Sequence, residues 1–258
     1  MFRNAILYTK ARIIRTPLEP LAKIVQRALG FNYRRSTPEL WEVHQENEML
    51  PLVLRKLLRE DSSCVDVGCH IGSFLSLIFK FAPNGRHTAF EPVECKISWL
   101  NRTFPEATIV HAAASDRQGS SAFSEDKDRP GYSRLAENGD GYAVPTITLD
   151  DYLLNLPRVD FIKIDTEGHE LQVLIGAQSV IAKFKPAIIF ECGSEYEVGL
   201  NRKALYDLIV TRLNYEIFIF SDFISGKLPL TFQQFRECGL YPFRAFNFLA
   251  IPSLVTRI

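Results

Sequence analysis

Two hydrophobic periods alternate along this chain. Short apolar or β-branched runs recur at 64–67, 87–90, 107–112, 159–164 and 187–191, each of strand length. Between them the apolar positions take helical spacing, at 73–81, 93–103, 149–154, 169–183 and 202–213. Strand and helix in alternation predict βαβ units, hence a mostly parallel sheet with helices on both faces. The last two runs, "YEIFIF" and "AFNFLAIP", have no good helix between them and predict an antiparallel pair at one sheet edge. Ahead of the first strand, "TPELWEVHQENEMLPLVLRKLLRED" reads as helix, with Thr37 as N-cap, Pro38 at the first helical position and Glu39 and Glu42 in the early turns. Residues 2–30 read as one or two further helices, because Leu21, Ile24/Val25 and Ala28/Leu29 recur at helical spacing before Gly30. Residues 117–143 break the pattern: rich in glycine, serine and charge, they form a long excursion. Within it, 124–143 is expected to act as a mobile cover hinged at Gly131, Gly139 and Gly141.

Composition adds limits. With 258 residues, 47% of them hydrophobic, the chain can bury the core of one large α/β domain. Formal net charge is zero, which gives a nucleic-acid partner no support. The charge is uneven, however: residues 1–35 carry a net +7 and the remainder −7. This divides the sequence into a basic helical extension, 1–35, and a main domain, 36–258. The extension could pack on the domain with its basic face in water, or rest on an anionic membrane surface or a partner. Its longest apolar run, Ala5 to Tyr8, is too short for a secretory signal, and no run reaches transmembrane length. Cysteines at 64, 69, 95, 192 and 238 form no C-x-x-C pair. They read as small core fillers in a reducing, cytoplasmic protein.

The chemistry starts at "CVDVGCHIGSFLSLIF", a strand, a glycine turn and a helix. A dinucleotide fingerprint needs glycine where His70 and Ser73 stand, so that motif fails. What remains is D-x-G-x-x-x-G, with Asp66 ahead of Gly68 and Gly72. A carboxylate there would repel a pyrophosphate and favour a cationic ligand. Glu91 ends the next strand, where an acidic side chain takes ribose hydroxyls in such folds. Together these features imply S-adenosylmethionine, held by Asp66, Gly68, His70, Gly72, Ser73 and Glu91.

Three segments, "CVDVGCHIGSF", "AFEP" and "FIKIDTEGHE", carry a resemblance to the FkbM family of S-adenosylmethionine-dependent methyltransferases, running from about residue 45 to 252. The resemblance implies a class I, Rossmann-like fold and O-methylation of a sugar or another small polar hydroxyl compound. Cys69-His70 departs from the family's usual Ala-Asn, and residues 1–35 lie outside the match. Methyl transfer needs the acceptor oxygen held in line and its proton removed. Asp165, His169 and Glu167, at one strand-to-helix junction, are the candidates. Asp165 or His169 would be the base, with Glu167 on a neighbouring hydroxyl or capping the helix. Lys163 reads as a buried partner for a carboxylate such as Glu191. Glu191, Glu195 and Tyr196 suit sugar hydroxyls, and Glu48 lies near a position often acidic in the family. No metal is expected, because no later Asp-Asn pair completes a hard-cation site. The expected function is O-methylation of a glycan or glycosylated small molecule. The main alternative is a non-catalytic Rossmann-like scaffold, which the Asp66/Glu91 pair disfavours.

Overall fold

The computed structural model describes residues 13–16, 18, 21, 35–124, 134–135, 141–194 and 200–253. Most of the helix expected over 2–30, together with Gly131, Gly139, Glu195 and Tyr196, lies outside the described residues. The scaffold is a seven-stranded sheet. Its strands are β1 (Cys64–Val67), β2 (Thr88–Phe90), β3 (Thr108–Val110), β8 (Phe161–Ile164), β9 (Ala187–Glu191), β10 (Tyr215–Ile219) and β11 (Asn247–Pro252). Their spatial order is β3-β2-β1-β8-β9-β11-β10. All neighbours run parallel except β11, which lies antiparallel between β9 and β10. Every residue of β1 and β8 is buried, as in a parallel sheet covered on both faces, and that includes one charged residue in each strand, Asp66 and Lys163.

Alternation of side chains gives the sheet two cores. Cys64, Ala89, Phe161, Ile189 and Leu249 face one way. They pack on α1 (Trp41–Leu57), α2 (Ser73–Phe81) and α3 (Glu94–Thr103) through Val53, Leu54, Leu75, Ile78 and Leu100. Val65, Ile162, Ile164, Ile188, Phe190 and Phe248 face the other way. They meet α4 (Leu149–Leu153), α5 (Glu170–Ile175), α6 (Gln178–Phe184) and α7 (Leu200–Tyr206).

Several expectations need correction. The single helix at 169–183 is two, because Gly176 interrupts it where a Cβ would meet the Ser115 carbonyl oxygen at 2.0 Å. The helix expected over 202–213 passes into a π-helical segment at Asp207–Arg212. Two short helices, α8 (Phe220–Ile224) and α9 (Phe232–Cys238), do lie between β10 and β11. Thr37 does not cap α1. Its hydroxyl bonds His44 Nε2 at 2.9 Å, and Pro38 opens a 3₁₀ turn instead. Four cysteines are buried as expected, but Cys95 is exposed.

The excursion contains strands that its composition did not predict, while residues 125–133 and 136–140, most of the expected cover, lie outside the described residues. β5 (Gly119–Ser124), β6 (Arg134–Leu135) and β7 (Tyr142–Ile147) join β4 (Ala113–Ala114) in a second sheet of order β4-β7-β5-β6. Of the basic extension, Ile14 is buried. Arg15 bonds Glu106 and the Thr103 carbonyl and lies 4.8 Å from the Phe79 ring centroid. These residues are packed on the main domain. No helix among the described residues is long and apolar enough to cross a membrane.

Candidate active site

The glycine turn is shaped by contact with its neighbours. Gly68, His70 and Gly72 all have left-handed φ, at +77°, +54° and +82°. A Cβ on Gly68 would sit 1.8 Å from the Asp165 carbonyl oxygen, and one on Gly72 would sit 2.3 Å from the Phe104 ring. Gly68 thus lets the end of β1 lie against the end of β8, where the Asp165 N–H donates to the Val67 carbonyl at 3.1 Å. Gly68→Ala would combine backbone strain with a clash against main chain. We expect it to cost about 3 kcal/mol or more. A urea unfolding midpoint equal to that of the wild type would refute this reading.

Asp66 is fully buried, and its carboxylate has no side-chain partner among the described residues; the Leu75 N–H, in the first turn of α2, is the backbone donor nearest to supplying one. Burial pushes the Asp66 pKa up to about 6, with the Asp165 and Glu91 charges adding and Lys163 opposing. A buried carboxylate with so little compensation is costly and marks a place for a cation or a strong donor. Glu91, also buried, is engaged. Oε2 accepts from the His70 N–H at 2.8 Å, while Oε1 accepts from the Val93 N–H at 3.0 Å and from Lys96 Nζ at 3.2 Å. It braces the turn. A pair of hydroxyls could add one bond at Oε2 and would need Lys96 to yield at Oε1. Ser73 is exposed at the start of α2.

Asp66 pairs with Lys163 in register, Lys163 with Ile189, and Glu191 with Asn247. Alternation then puts Asp66, Lys163, Asp165 and Glu191 on the face covered by α1 and α2. Lys163 is buried, and its Nζ lies 2.6 Å from Asp165 Oδ2 and 5.4 Å from the Phe74 ring centroid. Its partner is Asp165 rather than the Glu191 expected from sequence. Burial opposes the Asp165 charge, but Lys163 and a hydrogen bond with Glu191 bring its pKa below the ordinary value. Glu191 moves far the other way, through burial and then the Asp165 and Glu167 charges. The two carboxyls titrate as a pair, in which Lys163 favours charge at Asp165 and burial disfavours it at Glu191.

Glu167 has a left-handed φ of +54°. Its carboxylate joins those of Asp165 and Glu191, with ligand oxygens within 4.8 Å of one another. Such a trio has the oxygen chemistry for a hard divalent cation, although no metal was expected from the sequence. Capping of the following turn falls to Glu170. Its Oε1 accepts from Thr166 N–H, Thr166 Oγ1 and Gly168 N–H at 2.9, 3.0 and 3.2 Å. His169 stands at the N-cap of α5 rather than in its first turn, and its Nε2 meets Ser115 Oγ at 2.9 Å, beside the second sheet. Sequence reasoning missed Glu46, while Glu48 is exposed. Glu46, on α1, accepts from Phe246 N–H, Asn247 N–H and Asn247 Nδ2, fixing β11 beside Glu191.

A seven-stranded sheet of this order, with its acids gathered at the carboxyl ends of the strands flanking the β1/β8 switch point, defines a class I methyltransferase fold. The family model described as "Methyltransferase FkbM domain" matches residues 66–217, more than half of the chain, and the chain belongs to that family. It is a methyltransferase. Hexuronic acid methyltransferase AglP of Haloferax volcanii is 23% identical over 235 residues, covering 84% of this chain and 92% of that protein. The crystal structure of methyltransferase FkbM from Methylobacillus flagellatus KT is 19% identical with a TM-score of 0.49. It covers 76% of this chain, which spans only 45% of that one. The plantazolicin methyltransferase BpumL, in complex with SAH, is 12% identical, covers 93% and 92% of the two chains and has a TM-score of 0.46.

Proposed function

We propose that this chain transfers the methyl group of S-adenosylmethionine to a hydroxyl of a hexuronic acid, free or within a glycan. The observation that carries the reading is Asp165 at the switch point, 2.6 Å from the Lys163 ammonium and gathered with Glu167 and Glu191 within 4.8 Å. The bound cofactor would supply a methyl group already activated by its positive sulfur. The residues fit it: Asp66, buried and without a side-chain partner, suits the cofactor's ammonium. Gly68, His70, Gly72 and Ser73 form the turn around it, and Glu91 offers Oε2 to a ribose hydroxyl. On the acceptor side Asp165 takes the hydroxyl proton as the new C–O bond forms. Glu167 and Glu191 hold neighbouring hydroxyls. The sugar class is supported by the AglP relative, whose name states a hexuronic acid acceptor.

Incubation with methyl-labelled cofactor and a panel of hexuronides, neutral hexosides and non-sugar alcohols tests this proposal. Label should pass to the hexuronides in preference. Transfer to the alcohols alone would reject the sugar reading.

A further inference from the structure

We propose that Tyr241, Phe243 and Phe246 form the platform on which the acceptor's sugar ring stacks, a proposal that rests on the sugar reading above. The three rings make a ladder. Tyr241 and Phe243 meet edge to face at 5.6 Å, and Phe243 and Phe246 are tilted at 5.1 Å. Tyr241 is 60% exposed, and the other two rings are half-buried. The backbone that carries the ladder runs into the strand end that bears Glu191. The Phe246 carbonyl accepts from the Cys192 N–H at 2.8 Å, immediately after Glu191, and the next residue, Asn247, pairs with Glu191.

This segment is built rather than incidental. Three acids at the start of α1 and the turn before it clasp it, at a spacing that places them on one side of a helix. Glu39 accepts from the Tyr241 hydroxyl, Glu42 from Arg244 Nε at 3.1 Å, and Glu46 from the Phe246 and Asn247 amides. Holding the rings in place before binding removes an ordering cost from association. The chemistry of the surroundings selects the occupant. Aromatic faces are electron-rich and attract the polarised C–H groups on the face of a pyranose. Glu39, Glu42 and Arg244 give the ladder a charged rim suited to the hydroxyl edge of the same ring. A lipid or an apolar peptide would require a continuous apolar surface instead.

Saturation-transfer NMR of the full chain with methyl β-D-glucuronide tests the platform. Wild-type protein should transfer saturation most strongly to the ring C–H protons. Tyr241→Ala and Phe243→Leu, the latter keeping apolar volume without a π face, should each weaken glucuronide binding by up to about tenfold. Adenosylhomocysteine affinity and melting temperature should stay within error. Wild-type-like transfer in both variants would overturn the platform while leaving the sugar reading intact. No transfer from wild-type protein to the glucuronide would overturn both.

Discussion

Asp165→Asn is expected to lower turnover by about 100-fold or more, while adenosylhomocysteine still binds within a few-fold of wild type. The asparagine keeps size and polarity but cannot take a proton from the acceptor hydroxyl. Its amide would also leave the Lys163 ammonium without its anion, 2.6 Å away in the wild type. Some loss of stability should therefore accompany the loss of rate. His169→Ala is the matched control. Its ring is engaged by Ser115, so we expect less than about tenfold loss, far below the general-base contribution. Single-turnover rates with labelled cofactor measure both. Near-normal turnover in Asp165→Asn would reject Asp165 as the base and turn attention to Glu167. Loss of cofactor binding in that variant would move Asp165 to the cofactor side.

Asp66→Asn should separate binding from stability in opposite directions. Wild-type Asp66 has a folded pKa of about 6, raised by burial from an ordinary 3.8. A raised carboxylate pKa means that folding carries a penalty at neutral pH. The penalty is absent below the unfolded pKa, grows between the two values and is constant above about 6. Two units correspond to about 3 kcal/mol. Removing the charge should stabilise the protein by about 1–3 kcal/mol at pH 7–8. That corresponds to a rise of roughly 2–4 °C per kcal/mol, with the gain shrinking as pH falls from 6 to 4. Adenosylhomocysteine binding should weaken by about 2 kcal/mol or more, roughly thirty-fold, because a charged hydrogen-bonding partner is gone. In the wild type, affinity should hold above pH 6 and decline below it, as Asp66 must give up its proton to meet a cation. Calorimetry and thermal melts between pH 5 and 8 read all of this. Unchanged affinity in a folded Asp66→Asn protein would remove the residue from the cofactor site.

The parallel sheet was legible because β1, β8 and β9 announce themselves as short apolar runs between helical stretches. The antiparallel pairing of β10 with β11 followed from the same pattern. The second sheet was hidden by its own composition. β5 is built from "GSSAFS", and β7 holds Pro145 opposite Ser120, so neither reads as a strand locally. Within "FIKIDTEGHE", spacing showed that acids gather but not which one would cap the turn. Three donors from Thr166 and Gly168 gave that role to Glu170 and left Glu167 to the trio. Lys163 and Asp165 are two apart on a strand, hence on one face, so this pairing was available from periodicity alone. The contribution of Glu46 was not. It depends on a contact with Asn247, 201 residues away, which no local window contains.

The position of β11 imposes an order of assembly. During synthesis β10 emerges with no strand to pair with, because among the described strands its one partner is β11, which also joins it to β9. The same late arrival brings Asn247 to Glu46 and the aromatic segment to the start of α1. A ribosome-bound chain that has released β9 already carries the glycine turn and all three acids of the trio. It still lacks the edge that encloses them. The acid-lined end of the sheet is therefore completed by β11, the last strand among the described residues. Until then, the exposed edges of β9 and β10 offer unpaired backbone to any neighbouring strand.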